Sequence, residues 1–141
     1  MSFNLKNIMG LLLRVLAAVI LFQTLYFKFT GHPESVELFT KLGVEPWGRI
    51  GTGIIELVTS ILLLVPATVF IGAFLGIGLM SGAILSHLTA IGIESKGDGG
   101  QLFMLAIIVW VCCAIIMILY KHRGIELIKK FRKGKSNLSV N

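Results

Sequence analysis

Trp47-Gly-Arg-Ile-Gly-Thr-Gly-Ile-Ile-Glu56-Leu-Val-Thr-Ser-Ile-Leu-Leu-Leu-Val65 is an apolar run with a carboxylate near its centre. Its length matches the roughly 20 residues that cross a bilayer as a helix. A carboxylate at that depth costs roughly 2.5 to 3.5 kcal/mol to insert, so it needs a partner and is a functional candidate. Arg49, Thr52, Gly53, Glu56 and Ser60 recur at helical spacing and share one face. Lipid offers that face no hydrogen bonds, so it must turn inward onto other helices.

Working outward, three more apolar segments of similar length lie at residues 8–29, 68–91 and 102–120. The 141-residue chain is 55% hydrophobic and only 14% charged, with a mean hydropathy of +0.89. Soluble domains carry about 25% charged residues, so little is left here for a solvated surface. The expectation is an all-α membrane protein: a four-transmembrane antiparallel helical bundle with no further domain. The first apolar run is too long for a signal-peptide core and contains Arg14, which predicts a retained helix.

Charge sets the expected orientation. Nine of the 13 Lys and Arg lie towards the two ends, whereas six of the seven acids precede the tail. With four spans, the positive-inside rule places both termini in the cytoplasm and the protein in the inner membrane. The expected organisation is then a cytoplasmic N-terminus at 1–7, a transmembrane domain at 8–120 and a basic amphipathic tail at 121–141. Ile125, Ile128 and Phe131 recur among Lys129, Lys130, Arg132 and Lys133, a pattern that suits an anionic bilayer surface. No basic stripe occurs outside the tail, so nucleic acid is not an expected partner.

The first outer loop is patterned as well. Pro33 suits the first turn of a helix, Val36, Phe39 and Leu42 form an apolar side, and Gly43 supplies a stop. The prediction is a short amphipathic helix over the outer mouth of the bundle. In the third segment, Gly72-x-x-x-Gly76 and Gly78-x-x-x-Gly82-x-x-x-Ser86 predict close helix packing and also suit a homo-oligomer. The glycine-rich loop at 94–101 is expected to be polar, with Asp98 or Gln101 reaching the outer mouth.

Four ionisable side chains fall in the outer half of such a bundle: Lys28, Arg49, Glu56 and His87. Lys28 either pairs with Glu56 or reaches interfacial phosphates, and Arg49 lies about two turns before Glu56 on the same helix. Arg14 is expected to snorkel to the inner headgroups. A cluster of this kind binds a polar head group, relays a proton or clamps helices together. Glu56 and His87 make two ligands where a metal site wants three or four, so no metal is expected. His32 and His122 would lie on opposite sides of the membrane, which excludes paired haem ligation. Cys112 and Cys113 are adjacent in the fourth span and read as packing residues, and no catalytic serine arrangement is visible.

Taken in order, Arg14, Lys28–Gly31, Phe39-x-x-Leu42-Gly43, Arg49, Gly53, Glu56-Leu57, Leu62-Leu-Leu-x-Pro66 and Gly82-Ala83-x-x-x-His87-Leu88 resemble the DoxX family, and its DoxX-like branch most. The resemblance runs from Arg14 to Tyr120. It implies a four-helix membrane bundle in which Lys28, Glu56 and His87 match the family's polar positions. Family members include subunits of a thiosulfate:quinone oxidoreductase and terminal oxidase system, partners of secreted redox enzymes, and distant assembly chaperones. One departure is that this chain has no cysteine pair near the outer face.

Two readings follow. In the first, the protein is an accessory subunit of a quinone-linked membrane redox system, with no catalytic activity of its own. Its outer-half pocket then takes a small amphiphile such as a quinone, beside an extracytoplasmic or membrane redox partner. In the second, it is an assembly or interaction protein whose charged cluster is structural. A proton-coupled transporter is the least supported class, since no inverted repeat or broken helix is visible.

Overall fold

In a computed structural model, residues 3–138 are described, so residues 1, 2 and 139–141 of the expected terminal segments lie outside it. The order is α1 (Phe3–Phe29), α2 (Pro33–Lys41), α3 (Trp47–Leu64), α4 (Val69–Ser86) with a π-helical turn (His87–Ile91), α5 (Gln101–Leu119) and α6 (Lys121–Leu138). No strand occurs among the described residues.

The helix ends follow from local chemistry. Pro33 opens α2, and Gly43, with φ +73, lets the chain leave it in the left-handed region. Val65 is extended because the residue before a proline is pushed out of the helical region, and α3 stops there. Gly92, with φ +89, ends the π turn. Helix α1 starts five residues before the apolar run does, because Asn4, Lys6 and Asn7 contain nothing that breaks a helix.

The molecule is inside-out relative to a soluble bundle. Arg14, Arg49, Glu56, Thr59, Ser60 and His87 are buried, whereas Leu12, Val19, Phe74 and Ile118 are exposed. Four helices, α1, α3, α4 with its π turn, and α5, are long and apolar enough to cross a membrane. Together, polar groups inside and hydrocarbon outside mark a membrane protein.

Helix α1 packs on α3 and α5, and α4 packs on the same two, so the four helices close a ring. Leu63 lies beside Gly72 and Thr59 beside Gly76, so residue numbers fall along α3 as they rise along α4. The core runs through Ala17, Leu21, Leu63, Ala73, Val109, Cys113 and Ile116. Both cysteines are free and buried, with Cys113 Sγ against the Gly76 position.

The two small-residue runs of α4 have different jobs. At Gly72 an added Cβ would lie 2.7 Å from the backbone N of Leu63 and 2.9 Å from the carbonyl carbon of Leu62. Backbone cannot step aside, so Gly72→Ala is expected to destabilise by about 1–3 kcal/mol, the cost of overpacking. At Gly78 and Gly82 a Cβ would meet nothing within 4 Å. Alanine there should change thermal unfolding in detergent by no more than about 0.5 kcal/mol. Equal shifts at Gly72 and Gly82 would contradict this division.

The α6 end is tied to the bundle through the turn at residues 65–68. Arg14, which the sequence sends to the headgroups, is only 6% exposed. Its Nε donates to the Leu63 carbonyl at 2.6 Å and its Nη2 to that of Leu64 at 2.5 Å. The reason is that the last carbonyls of a helix have no partner of their own. Thr68 Oγ1 takes the Leu62 carbonyl at 3.0 Å, and Arg123 from α6 donates to that of Pro66. Gly124 lets α6 rest on the ring of Phe70. Ile125, Ile128 and Phe131 stay exposed beyond it.

Candidate functional site

Helix α3 presents Glu56 to the ring interior, where the residue is 4% exposed. Gly53, nearly one turn earlier, has no side chain to hold α1 away: a Cβ there would lie 3.0 Å from Phe29 Cε1 and 3.6 Å from Lys28 Cβ. The resulting close approach brings Lys28 within reach of the carboxylate. Lys28 Nζ donates to Glu56 Oε2 at 3.0 Å. Thr24, one turn before Lys28, places its hydroxyl 3.0 Å from the same oxygen and 2.8 Å from the Leu21 carbonyl, one proton shared between two acceptors. Glu56 Oε1 has no hydrogen-bond partner among the described residues.

Arg49 is not part of this contact. Its Nε pairs with Glu45 Oε1 at 2.7 Å, four residues back, and its Nη1 donates to the Lys28 carbonyl. The nearer carboxylate and an orphan carbonyl at the end of α1 outcompete Glu56, two turns away. Arg49 therefore ties α1 to the start of α3, beside the site rather than in it.

His87 opens the π turn and is 3% exposed. Its Nδ1 lies 2.8 Å from the Gly92 carbonyl, and the Gly92 N–H returns a bond to the His87 carbonyl at 2.8 Å. A carbonyl only accepts, so the proton sits on Nδ1. Nε2 is left with no hydrogen-bond partner among the described residues, and in the neutral ring it is an acceptor. Phe103 meets the ring edge-on, with centroids 5.6 Å apart.

Lys28, Thr24, Glu56 and His87 line one cavity of about 770 Å³. This is within the range of about 300–1,000 Å³ typical of small-molecule sites. Its deeper wall is apolar, with Ile20, Leu21, Leu79, Met80 and Leu105. Two covers close the far end. Helix α2 contributes Leu38 and Phe39, and the second loop contributes Ser95 to Asp98. Lys96 Nζ bridges them, 2.5 Å from Glu37 Oε2, and Lys41 Nζ lies 3.3 Å from Glu37 Oε1. The Lys96 bond is the main cause that holds the Glu37 carboxyl below its usual range. Exposed pairs of this kind add little stability; this one keeps the covers in register.

Asp98 serves its own loop more than the mouth. It accepts from the N–H groups of Gly100 at 2.8 Å, Ser95 at 3.0 Å and Leu102 at 3.1 Å. Burial pushes its carboxyl up, but those three N–H groups outweigh it and hold the group below its ordinary value of 3.8. A depressed folded-state value means the stabilisation is complete above about that ordinary value and lost as pH falls through the depressed one. Amide exchange in residues 95–102 should therefore accelerate in acid well below pH 3.8, ahead of the bundle helices. Asp98→Asn should show the fast exchange at neutral pH. Slow exchange in that variant would rule the role out.

Of the four residues singled out by sequence, the structure gathers Lys28, Glu56 and His87 around the cavity and leaves Arg49 beside it. Sequence reading missed Thr24, whose signal was a polar residue in an apolar run one turn before Lys28. It also missed Thr59, which is fully buried with its hydroxyl unpartnered among the described residues. No three His, Cys, Asp or Glu side chains come together among the described residues.

The profile described as the DoxX-like family matches residues 12–117, most of the chain. The chain belongs to the DoxX-like family. The matched span runs from α1 nearly to the end of α5, so it takes in every residue of the cavity wall and leaves out α6. No curated protein and no solved structure is significantly similar to this DoxX-like chain.

Proposed function

We propose that this DoxX-like protein is a non-catalytic accessory subunit of a quinone-linked membrane redox system, and that its cavity holds a quinone or similar amphiphile. The observation that carries the reading is a cavity of about 770 Å³ whose polar end keeps unused hydrogen-bonding capacity. Lys28 retains N–H groups that suit a quinone carbonyl. Glu56 Oε1 and His87 Nε2 are acceptors that suit the hydroxyls of the reduced form. The apolar depth suits the rest of the molecule. A bound quinone would supply electron-carrying chemistry to a partner protein; the chain itself binds and orients the head.

The inner membrane, with both termini cytoplasmic, is the orientation we propose. Lys6, Arg14 and the basic side chains of α6 collect at the end opposite the cavity covers, in keeping with the positive-inside rule. The apolar side of α6, Ile125, Ile128 and Phe131, then meets the inner leaflet. The covers α2 and the second loop face a redox partner outside.

Purified protein in lipid nanodiscs should bind a decyl-chain quinone saturably, and His87→Ala should weaken that binding about tenfold, as loss of one buried hydrogen bond does. Native mass spectrometry of protein released from its own membrane should show a small bound amphiphile. A second reading has its own support: Glu56 is already paired with Lys28 and Thr24, as a helix clamp would be. If no saturable binding occurs and no small molecule is released, the protein is an assembly or interaction factor with a structural cluster.

A further inference from the structure

The cavity has a flank as well as a mouth. Helices α3 and α4 touch closely where Gly72 meets Leu62 and Leu63 and where Gly76 meets Thr59. Beyond Gly76, towards the covers, the glycines continue but the contact does not. Gly78 and Gly82 are exposed, both line the cavity, and an added Cβ at either would meet nothing within 4 Å.

Helical geometry says which flank this is. At about 100° per residue, Ser86 lies about 40° and Gly82 about 80° round α4 from Gly72, which turns to α3, and Gly78 lies farther round on the same flank, towards lipid. Ser81 falls on the other side, where it accepts from Trp110 Nε1 of α5 at 3.0 Å. Across the gap, Thr52 of α3 lines the same cavity. The flank between α4 and α5 is therefore bolted by Trp110 and Phe103. The flank between α1 and α3 is closed by Phe29 against Gly53 and by Lys28 on Glu56. The covers are bridged by Lys96 and Glu37.

The interior end of this slot is polar and unfinished. His87 is almost fully buried at the cavity wall with Nε2 unpartnered among the described residues, and Glu56 keeps Oε1 free there. Glycines along this flank leave it without the side chains that would have filled it.

We propose that the cavity is loaded sideways from the bilayer, between α3 and α4, and that it selects single-chain amphiphiles. The head meets Glu56, Lys28 and His87, and the tail runs out past Gly82 and Gly78 into lipid. This rests on the amphiphile reading above and adds its route and the class of tail it accepts.

The test uses the full chain in nanodiscs and two probes, a decyl-chain quinone and the same quinone head without a tail. The variant is the double substitution Gly78→Leu, Gly82→Leu, whose new side chains enter open space and leave the fold intact. The tailed probe should bind the variant about tenfold more weakly or worse, equivalent to withdrawing about two methylenes from apolar contact. The tail-less probe should bind the variant as it binds the wild type, which also reports that the site is folded. Linking α2 to the second loop by a cross-linker through E37C/K96C should leave tailed-probe binding unchanged.

Equal binding of the tailed probe to variant and wild type would overturn the lateral route, as would a parallel loss of both probes or a block by the cross-link. If neither probe binds the wild type, the amphiphile reading itself fails and the route falls with it.

Discussion

Glu56→Gln is expected to lower the stability of the folded protein by about 3–5 kcal/mol, the cost of removing one partner from a buried ion pair. The carboxylate is 4% exposed and holds Lys28 Nζ at 3.0 Å. Glutamine still offers a carbonyl to Lys28 and Thr24, so the lower end of that range applies. The ammonium nevertheless loses its counter-charge in a site that hydrocarbon surrounds. Lys28→Met should cost a similar amount, because it strands the carboxylate instead. The double variant K28M/E56Q strands neither and should cost no more than either single change, giving a coupling energy of about 3 kcal/mol in a mutant cycle. Unfolding in mild detergent reads all four proteins. Additive single effects would show that the pair is not coupled. The same double variant separates function from clamping, since it strands no buried charge while leaving the amphiphile head without its charged contacts.

Arg14→Met is the second large effect, about 3 kcal/mol or more. Two charge-assisted bonds at 2.6 and 2.5 Å disappear, each worth about 1.5–3 kcal/mol, and two carbonyls at the end of α3 are left bare. Methionine matches the stem of arginine, so packing along α1 changes little. Arg14→Lys should recover less than half, because an ammonium cannot span both carbonyls as the guanidinium fork does. Faster amide exchange across residues 62–66 should accompany the loss. Wild-type unfolding by Arg14→Met would mean that water or lipid headgroups satisfy those carbonyls equally well.

Much of this architecture was legible because it depends on neighbours in the chain. Periodicity of the stretch around Glu56 named Arg49, Gly53 and Ser60 as inward-facing, and all of them are buried in α3. Pro33 and Gly43 marked the ends of α2, since one restricts and the other frees the backbone where it stands. His87, placed by sequence in the outer half of the bundle, does line the cavity, with Met80 and Ala83 on the same side of α4. The apolar side of the tail was equally plain.

What could not be read was which of several reachable groups each polar side chain would take. Glu56 had two candidate cations. Arg49 on the same helix and Lys28 on α1 were both in reach, and Lys28 won because Gly53 lets α1 close in and because Glu45 claimed Arg49. Arg14 had water and headgroups within reach of its stem, but the turn after α3 set two bare carbonyls beside it. The glycine runs of α4 were indistinguishable in sequence, and the neighbouring helix made one a tight seam and the other an open flank.

The sequence alone determined that four apolar spans form a membrane bundle with a polar stripe inside, because burial of hydrocarbon and local backbone preference act residue by residue. The tertiary structure alone decided that Lys28, Thr24, Glu56 and His87 share a cavity and that Gly78 and Gly82 stand clear of the neighbouring helices. Ion pairs and packing gaps depend on distances between helices, and those distances are set by side chains far apart in the chain.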